Sequence, residues 1–103
     1  MFDALKIYRG EKIELEETYR VLTEYGYKRV AAITEEGDFS PKGENLFIFP
    51  ATFEYPIRIE LSQSEVEGIK TIDIASYKAI SEHQMVIILP ILLKPSRHSV
   101  QRP

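Results

Sequence analysis

The sequence predicts an α+β domain, a curved antiparallel sheet of five or six strands packed against one main helix. Three observations carry that reading. Apolar residues recur at three- and four-residue spacing in one segment, residues 14–25. From Tyr27 onward the period falls towards two, the spacing of strands. The later apolar runs are joined by short links, which favours antiparallel neighbours, and a lone helix must then cover one sheet face.

Taken in chain order, residues 4–9 (ALKIYR) are read as a first strand ended by Gly10. Leu15, Tyr19, Leu22 and Tyr25 then line one face of a helix. Glu14, Glu16 and Glu17 fall in its first turn, where carboxylates favour the positive end of the helix dipole. Gly26 stops it. Tyr27 to Ile33 is expected to be a strand and Glu36-Gly37 a turn.

Asp38 to Lys42 reads as a short extended piece in which Pro41, lacking an N–H, requires an edge or a bulge. Asn45 to Phe49 continues as a strand stopped by Pro50. Ile57, Ile59 and Leu61 alternate with Arg58, Glu60 and Ser62, the pattern of a sheet with one wet face. Val66, Ile69 and either Ile72 or Ile74 form a further strand with a change of phase. Met85 to Leu89 is a near-continuous apolar run, expected to be a buried last strand before Pro90.

At 103 residues the chain is long enough to close a single core. It has no cysteine, hence no disulfide framework and no thiolate metal site, which agrees with a cytoplasmic location. No apolar run approaches the roughly 20 residues that span a bilayer. The net charge is −3, unevenly placed. Three of the 13 basic residues, Lys94, Arg97 and Arg102, follow residue 93 without an acid, leaving 10 basic against 16 acidic groups and a net of −6 before them. Residues 1–92 are therefore expected to form the domain, and 93–103 a basic linker or the start of a neighbouring segment. An acidic body argues against direct nucleic-acid binding, because phosphate contacts need clustered Lys and Arg.

Catalytic devices are absent from the pattern. There is no GxxxxGK[ST] phosphate loop and no other cofactor motif. His83 and His98 are far apart and outside any metal-binding spacing. Glu35, Glu36 and Asp38 cluster without the spacing of a calcium loop and are read as a solvated acidic turn. No serine sits in a nucleophile elbow. Two features remain. Arg58, with Glu60 two residues on, either makes a cross-strand ion pair with a sheet neighbour or reaches an acidic partner. Phe47 and Phe49 share one strand face while Leu46 and Ile48 take the other, so that strand is central and doubly covered or presents an apolar patch.

GYKRV (26–30), EEGDFSPKG (35–43), FIFP (47–50), YPIRIEL (55–61), EVEGI (65–69) and VIILP (86–90) together resemble the UvrA-interaction domain. That domain is shared by bacterial transcription-repair coupling factors and the excision-repair protein UvrB. The resemblance implies a non-catalytic module, without cofactor, that recruits UvrA to a stalled polymerase and packs against other domains of a longer, ATP-dependent DNA translocase. It also implies a binding surface. Arg58 matches the arginine that would contact UvrA carboxylates. Lys42 stands where the family has an arginine, Ser62 where an aromatic is usual, and Phe47 where an acid is usual. With Glu60, these are the partner-binding residues the sequence proposes.

Overall fold

The computed structural model describes residues 4–91. The expectation for 93–103 lies outside the described residues. The chain runs β1 (Leu5–Tyr8), α1 (Leu15–Glu24), β2 (Lys28–Arg29), β3 (Asp38–Lys42), β4 (Asn45–Ile48), β5 (Ile57–Ser62), β6 (Glu65–Ile72), β7 (Ala79–His83) and β8 (Met85–Ile88). Strands β2 to β7 form one six-stranded sheet in sequence order, and β1 pairs with β8 in a second, two-stranded sheet. The α+β class, with one helix packed on the main sheet, is therefore as the sequence predicts.

The core lies on one face of the six-stranded sheet. Ile57, Ile59 and Leu61 of β5, Leu46 and Ile48 of β4, and Val66 and Ile69 of β6 point into it. Leu22 of α1, Ile7 of β1, and Val86 and Ile88 of β8 close it from the other side. Each such aliphatic side chain contributes about 1.5–3 kcal/mol by leaving water. The Tyr19 ring of α1 stacks on Phe39 of β3 at 6.0 Å, fixing the helix over the first half of the sheet. Tyr27 ties the ends together. Its hydroxyl donates to the Leu89 carbonyl and accepts from the Ala51 N–H, both at 3.0 Å.

The helix ends as its sequence demands. Tyr25 is the C-cap, and Gly26 at φ +96° takes the left-handed turn that an L-residue resists. At the other end Glu14 is the N-cap but makes no side-chain cap bond. Two hairpins set the register of the wet face. Gly43 at φ +63° opens the two-residue link between Lys42 and Asn45. Gln63 and Ser64 at φ +51° and +71° form the link between Ser62 and Glu65, where two positive φ values suit a type I′ turn.

Several expectations are corrected. The strand expected over Tyr27 to Ile33 shrinks to β2, which pairs parallel, not antiparallel, to β3. Beyond Phe39, β3 has no register partner on the β2 side, so Pro41 lies at a local edge, as its missing N–H requires. The last strand is not buried on both faces: Val86 and Ile88 point inward, but Ile87 is exposed, because the β1–β8 ribbon has only its inner face on the core. Strand β7 was not expected at all. Every residue from Ala79 to Glu82 is exposed, so no burial pattern marks it, and backbone pairing with β6 holds it. The change of phase in β6 is real. A register shift opposite Glu60/Leu61 lets Val66 and Ile69 face the core, while Ile72 turns to the opposite face with Ile33 and Phe47.

Candidate functional site

Register places the proposed residues on the face of the sheet opposite the core. Residues directly opposite in neighbouring strands share a face. One row runs Ser40, Phe47, Arg58, Lys70, Glu82, and the next runs Lys42, Asn45, Glu60, Gly68. Four of the five proposed residues, Arg58, Phe47, Glu60 and Lys42, thus lie in two adjacent rows. Ser62, opposite Glu65 at the hairpin end, follows Glu60 on the same side of β5.

Arg58 is not a bare cation. Its side chain is 20% exposed and already bonded within the domain. Nε donates to Glu60 Oε2 at 3.0 Å, and Nη1 donates to the Tyr77 carbonyl at 3.0 Å. The ion pair formed here is intramolecular but not cross-strand: Arg58 pairs with Glu60 of its own strand and is held also by Tyr77 of the turn between β6 and β7. Glu60 is shared. Lys70 Nζ reaches both of its carboxylate oxygens, at 3.0 and 3.2 Å. Burial pushes the Glu60 carboxyl up, but the hydrogen bonds and charges of Lys70 and Arg58 outweigh it, and it titrates below the ordinary carboxylate range.

Gly68 makes room for this arrangement. It stands opposite Glu60, and a Cβ there would lie 2.6 Å from Glu60 Oε1. Tyr77 owes its place to a turn in which the Asp73 carboxylate accepts the Ser76 N–H at 2.8 Å and the Asp73 carbonyl accepts the Tyr77 N–H. Tyr77 itself sits at φ +64°, a conformation uncommon for a bulky residue.

Phe47 is 6% exposed, its ring 5.1 Å from that of Tyr77 and packed with Ile33 and Ile72. Of its two alternatives, covered or sticky, the structure has the covered one. Phe47 therefore supports the charged row from beside it and offers a partner little surface. Lys42 is exposed and Ser62 half-buried. Lys70, Gly68 and Tyr77 belong to the site and were not foreseen. Lys70 lies on the side of β6 away from Ile69, but only the register of β5 against β6 brings it to Glu60. Tyr77 was not legible either, because a positive-φ turn residue reaches Arg58 only through tertiary placement.

Asp38, expected in a solvated acidic turn, is 5% exposed, and its Oδ2 accepts the Thr34 and Glu35 N–H groups and the Thr34 hydroxyl. It staples the loop before β3. A shallow groove of about 590 Å³ is lined by Arg9, Gly10, Glu65, Val66, Glu67 and Gln84, and neither His83 nor the 35–38 turn reaches it. Among the described residues no group of three His, Cys, Asp or Glu side chains is placed to hold a metal ion. Among them, too, no helix is long and apolar enough to cross a membrane.

Comparison with known proteins agrees with the motifs. The transcription-repair-coupling factor of Bacillus subtilis (strain 168) is 31% identical over 94 residues, covering 91% of this chain and 8% of that protein. The corresponding factor of Escherichia coli (strain K12) is 25% identical over 87 residues, 84% of this chain and 8% of that protein. UvrABC system protein B of Treponema denticola is 34% identical over 86 residues, 84% of this chain and 13% of that protein. The chain thus spans a small part of the length of the relatives it matches. The family described as the UvrB interaction domain matches residues 5–92, and the chain belongs to that family.

Proposed function

We propose that this domain is a non-catalytic interaction module of a transcription-repair coupling factor, which recruits UvrA in transcription-coupled nucleotide excision repair. The observation that carries the reading is the cluster of cations at the middle of one sheet face. Lys42, Arg58 and Lys70 occupy adjacent register rows, with Glu60 between them and the carboxylates of Glu82 and Glu65 on the same face at the edge strand and the hairpin end. In a body that is otherwise acidic, this is a surface suited to an acidic partner. Arginine supplies a fork matched to carboxylates, and interfaces concentrate their energy on such residues. ATP-driven translocation, DNA binding and a cytoplasmic location belong, on this reading, to the longer parent protein, whose other domains are further partners of the module.

The test is a titration of UvrA with the wild-type domain and with Arg58→Ala. Loss of a hot-spot arginine weakens binding by about 2 kcal/mol or more, on the order of thirtyfold in Kd. Equal affinity of the two proteins rejects the assignment.

A second reading is favoured by the internal bonds of Arg58. With Glu60 and Tyr77 already holding the guanidinium, and Lys42 and Ser62 where the family pattern has an arginine and an aromatic, the domain has lost UvrA affinity and serves packing or autoinhibition inside its parent. Failure of the wild-type domain to bind UvrA at micromolar concentration selects this reading over the first.

A further inference from the structure

Resting on the UvrA-docking reading, we propose that Glu60 is an internal stand-in for the partner's carboxylate, held in a two-cation clamp of Arg58 and Lys70 that an acidic side chain of the partner takes over on docking. Three features of the geometry point to it. First, Glu60 uses the guanidinium incompletely. A guanidinium presents Nε and Nη2 along one edge, the edge that receives a carboxylate through two parallel bonds. Glu60 takes Nε alone, while Nη1, on the other side, is held by the Tyr77 carbonyl. An incoming carboxylate that displaces Glu60 gains the paired geometry that Glu60 itself does not make.

Second, Arg58 does not depend on Glu60 for its position. The Tyr77 carbonyl keeps the guanidinium oriented when the carboxylate leaves, and the half-buried Tyr77 ring packed on the buried Phe47 holds that turn in place. Third, Glu60 has a second anchor. Lys70 bonds both of its oxygens, and Oε1 already lies in the space left by the missing Cβ of Gly68, so the carboxylate stays held on that side when it gives up Nε. Lys70 is in this account a specificity-determining residue: it draws Glu60 off Arg58 and balances the second negative charge when the partner arrives. All three groups are partly open, at 20% exposure for Arg58 and 27% for both Glu60 and Lys70, so the clamp is reachable from solvent.

The account makes an unusual demand, that removing an acid from the site strengthens binding and removing a cation weakens it. UvrA is titrated with wild type, Glu60→Gln, Gly68→Ala, Lys70→Met and Arg58→Ala, each checked by thermal melting at pH 7. Glu60→Gln is expected to lower Kd roughly fivefold, the scale of losing one competing ion pair. Gly68→Ala keeps every charge but denies Glu60 its place beside Lys70 and crowds it towards Arg58, and is expected to raise Kd, so that the test survives if the Gln variant does not fold. Lys70→Met raises Kd, because Glu60 then turns wholly to Arg58. If Arg58→Ala weakens binding while Glu60→Gln weakens it or leaves it unchanged, or while Gly68→Ala and Lys70→Met leave it unchanged, Glu60 only positions the arginine and the stand-in is overturned, with the docking surface intact. If Arg58→Ala changes nothing, the docking reading and the stand-in fall together.

Discussion

Two donors of Arg58 are engaged inside the domain, and Glu60 carries the counter-charge for both Arg58 and Lys70. The pair is partly exposed, so its contribution to stability is small, about 1 kcal/mol or less. Its pH dependence is defined by the low titration of Glu60. Because the folded carboxyl titrates below its unfolded value of about 4.3, its stabilisation is complete above that pH and is lost as pH falls through the lower folded value. Glu60→Gln is therefore expected to be less stable than wild type in urea at pH 7, with the difference shrinking as the pH is lowered towards 3. A difference that instead grows on acidification contradicts the ion network. Tyr27 offers a second residue-level check. Its buried hydroxyl serves the Leu89 carbonyl and the Ala51 N–H, so Tyr27→Phe leaves both unpaired and is expected to cost about 1–3 kcal/mol in chemical denaturation. At this scale the alternation around Arg58 was readable in the sequence, since Ile57, Ile59 and Leu61 can only alternate if one face is wet. The rest of the network was not, because Tyr77 reaches Arg58 through a turn and Lys70 reaches Glu60 through register, neither of which periodicity encodes.

Elements were legible in proportion to their burial. Leu15, Tyr19 and Leu22 face the core and reveal α1; the exposed edge strand β7 has backbone pairing without a buried side, and so left no trace. Strand direction was also hidden. A short connection suggests an antiparallel return, yet residues 30–37 loop back far enough for β2 to run parallel to β3. The Lys28 N–H donates to the Gly37 carbonyl and the Val30 N–H to the Phe39 carbonyl, completing that short ladder. The β5–β6 hairpin carries a measurable cost of its sequence. Gln63 and Ser64 both adopt positive φ without glycine, each a conformation disfavoured by roughly 1 kcal/mol for an L-residue. Ser64→Gly is expected to raise the midpoint of thermal unfolding by a few degrees, a stabilisation of about 0.5–1 kcal/mol. A lower midpoint means the turn is not of the type described. Since this hairpin and the bulge that follows it together set Glu60 against Gly68, its rigidity matters to the charged face as well as to stability.

On the scale of the molecule, the six-stranded sheet separates two surfaces with different work. One face, under α1 and the β1–β8 ribbon, is the apolar core. The other carries Lys42, Arg58, Glu60 and Lys70 beside a small apolar cluster of Ile33, Phe47 and Ile72. The acidic remainder of the chain keeps this patch distinct; composition argued only against nucleic acid, and it was Arg58 that suggested an acidic protein partner. The central claim is that the charged face, and not the helix or the ribbon, is what a partner covers. Backbone amide NMR of the labelled domain, followed while UvrA is added, tests it most directly. The account predicts perturbations gathered at Lys42, Asn45, Arg58, Glu60 and Lys70, with α1 and β1 unmoved. Perturbations centred on α1 or on the β1–β8 ribbon, with the Arg58 row silent, would contradict it.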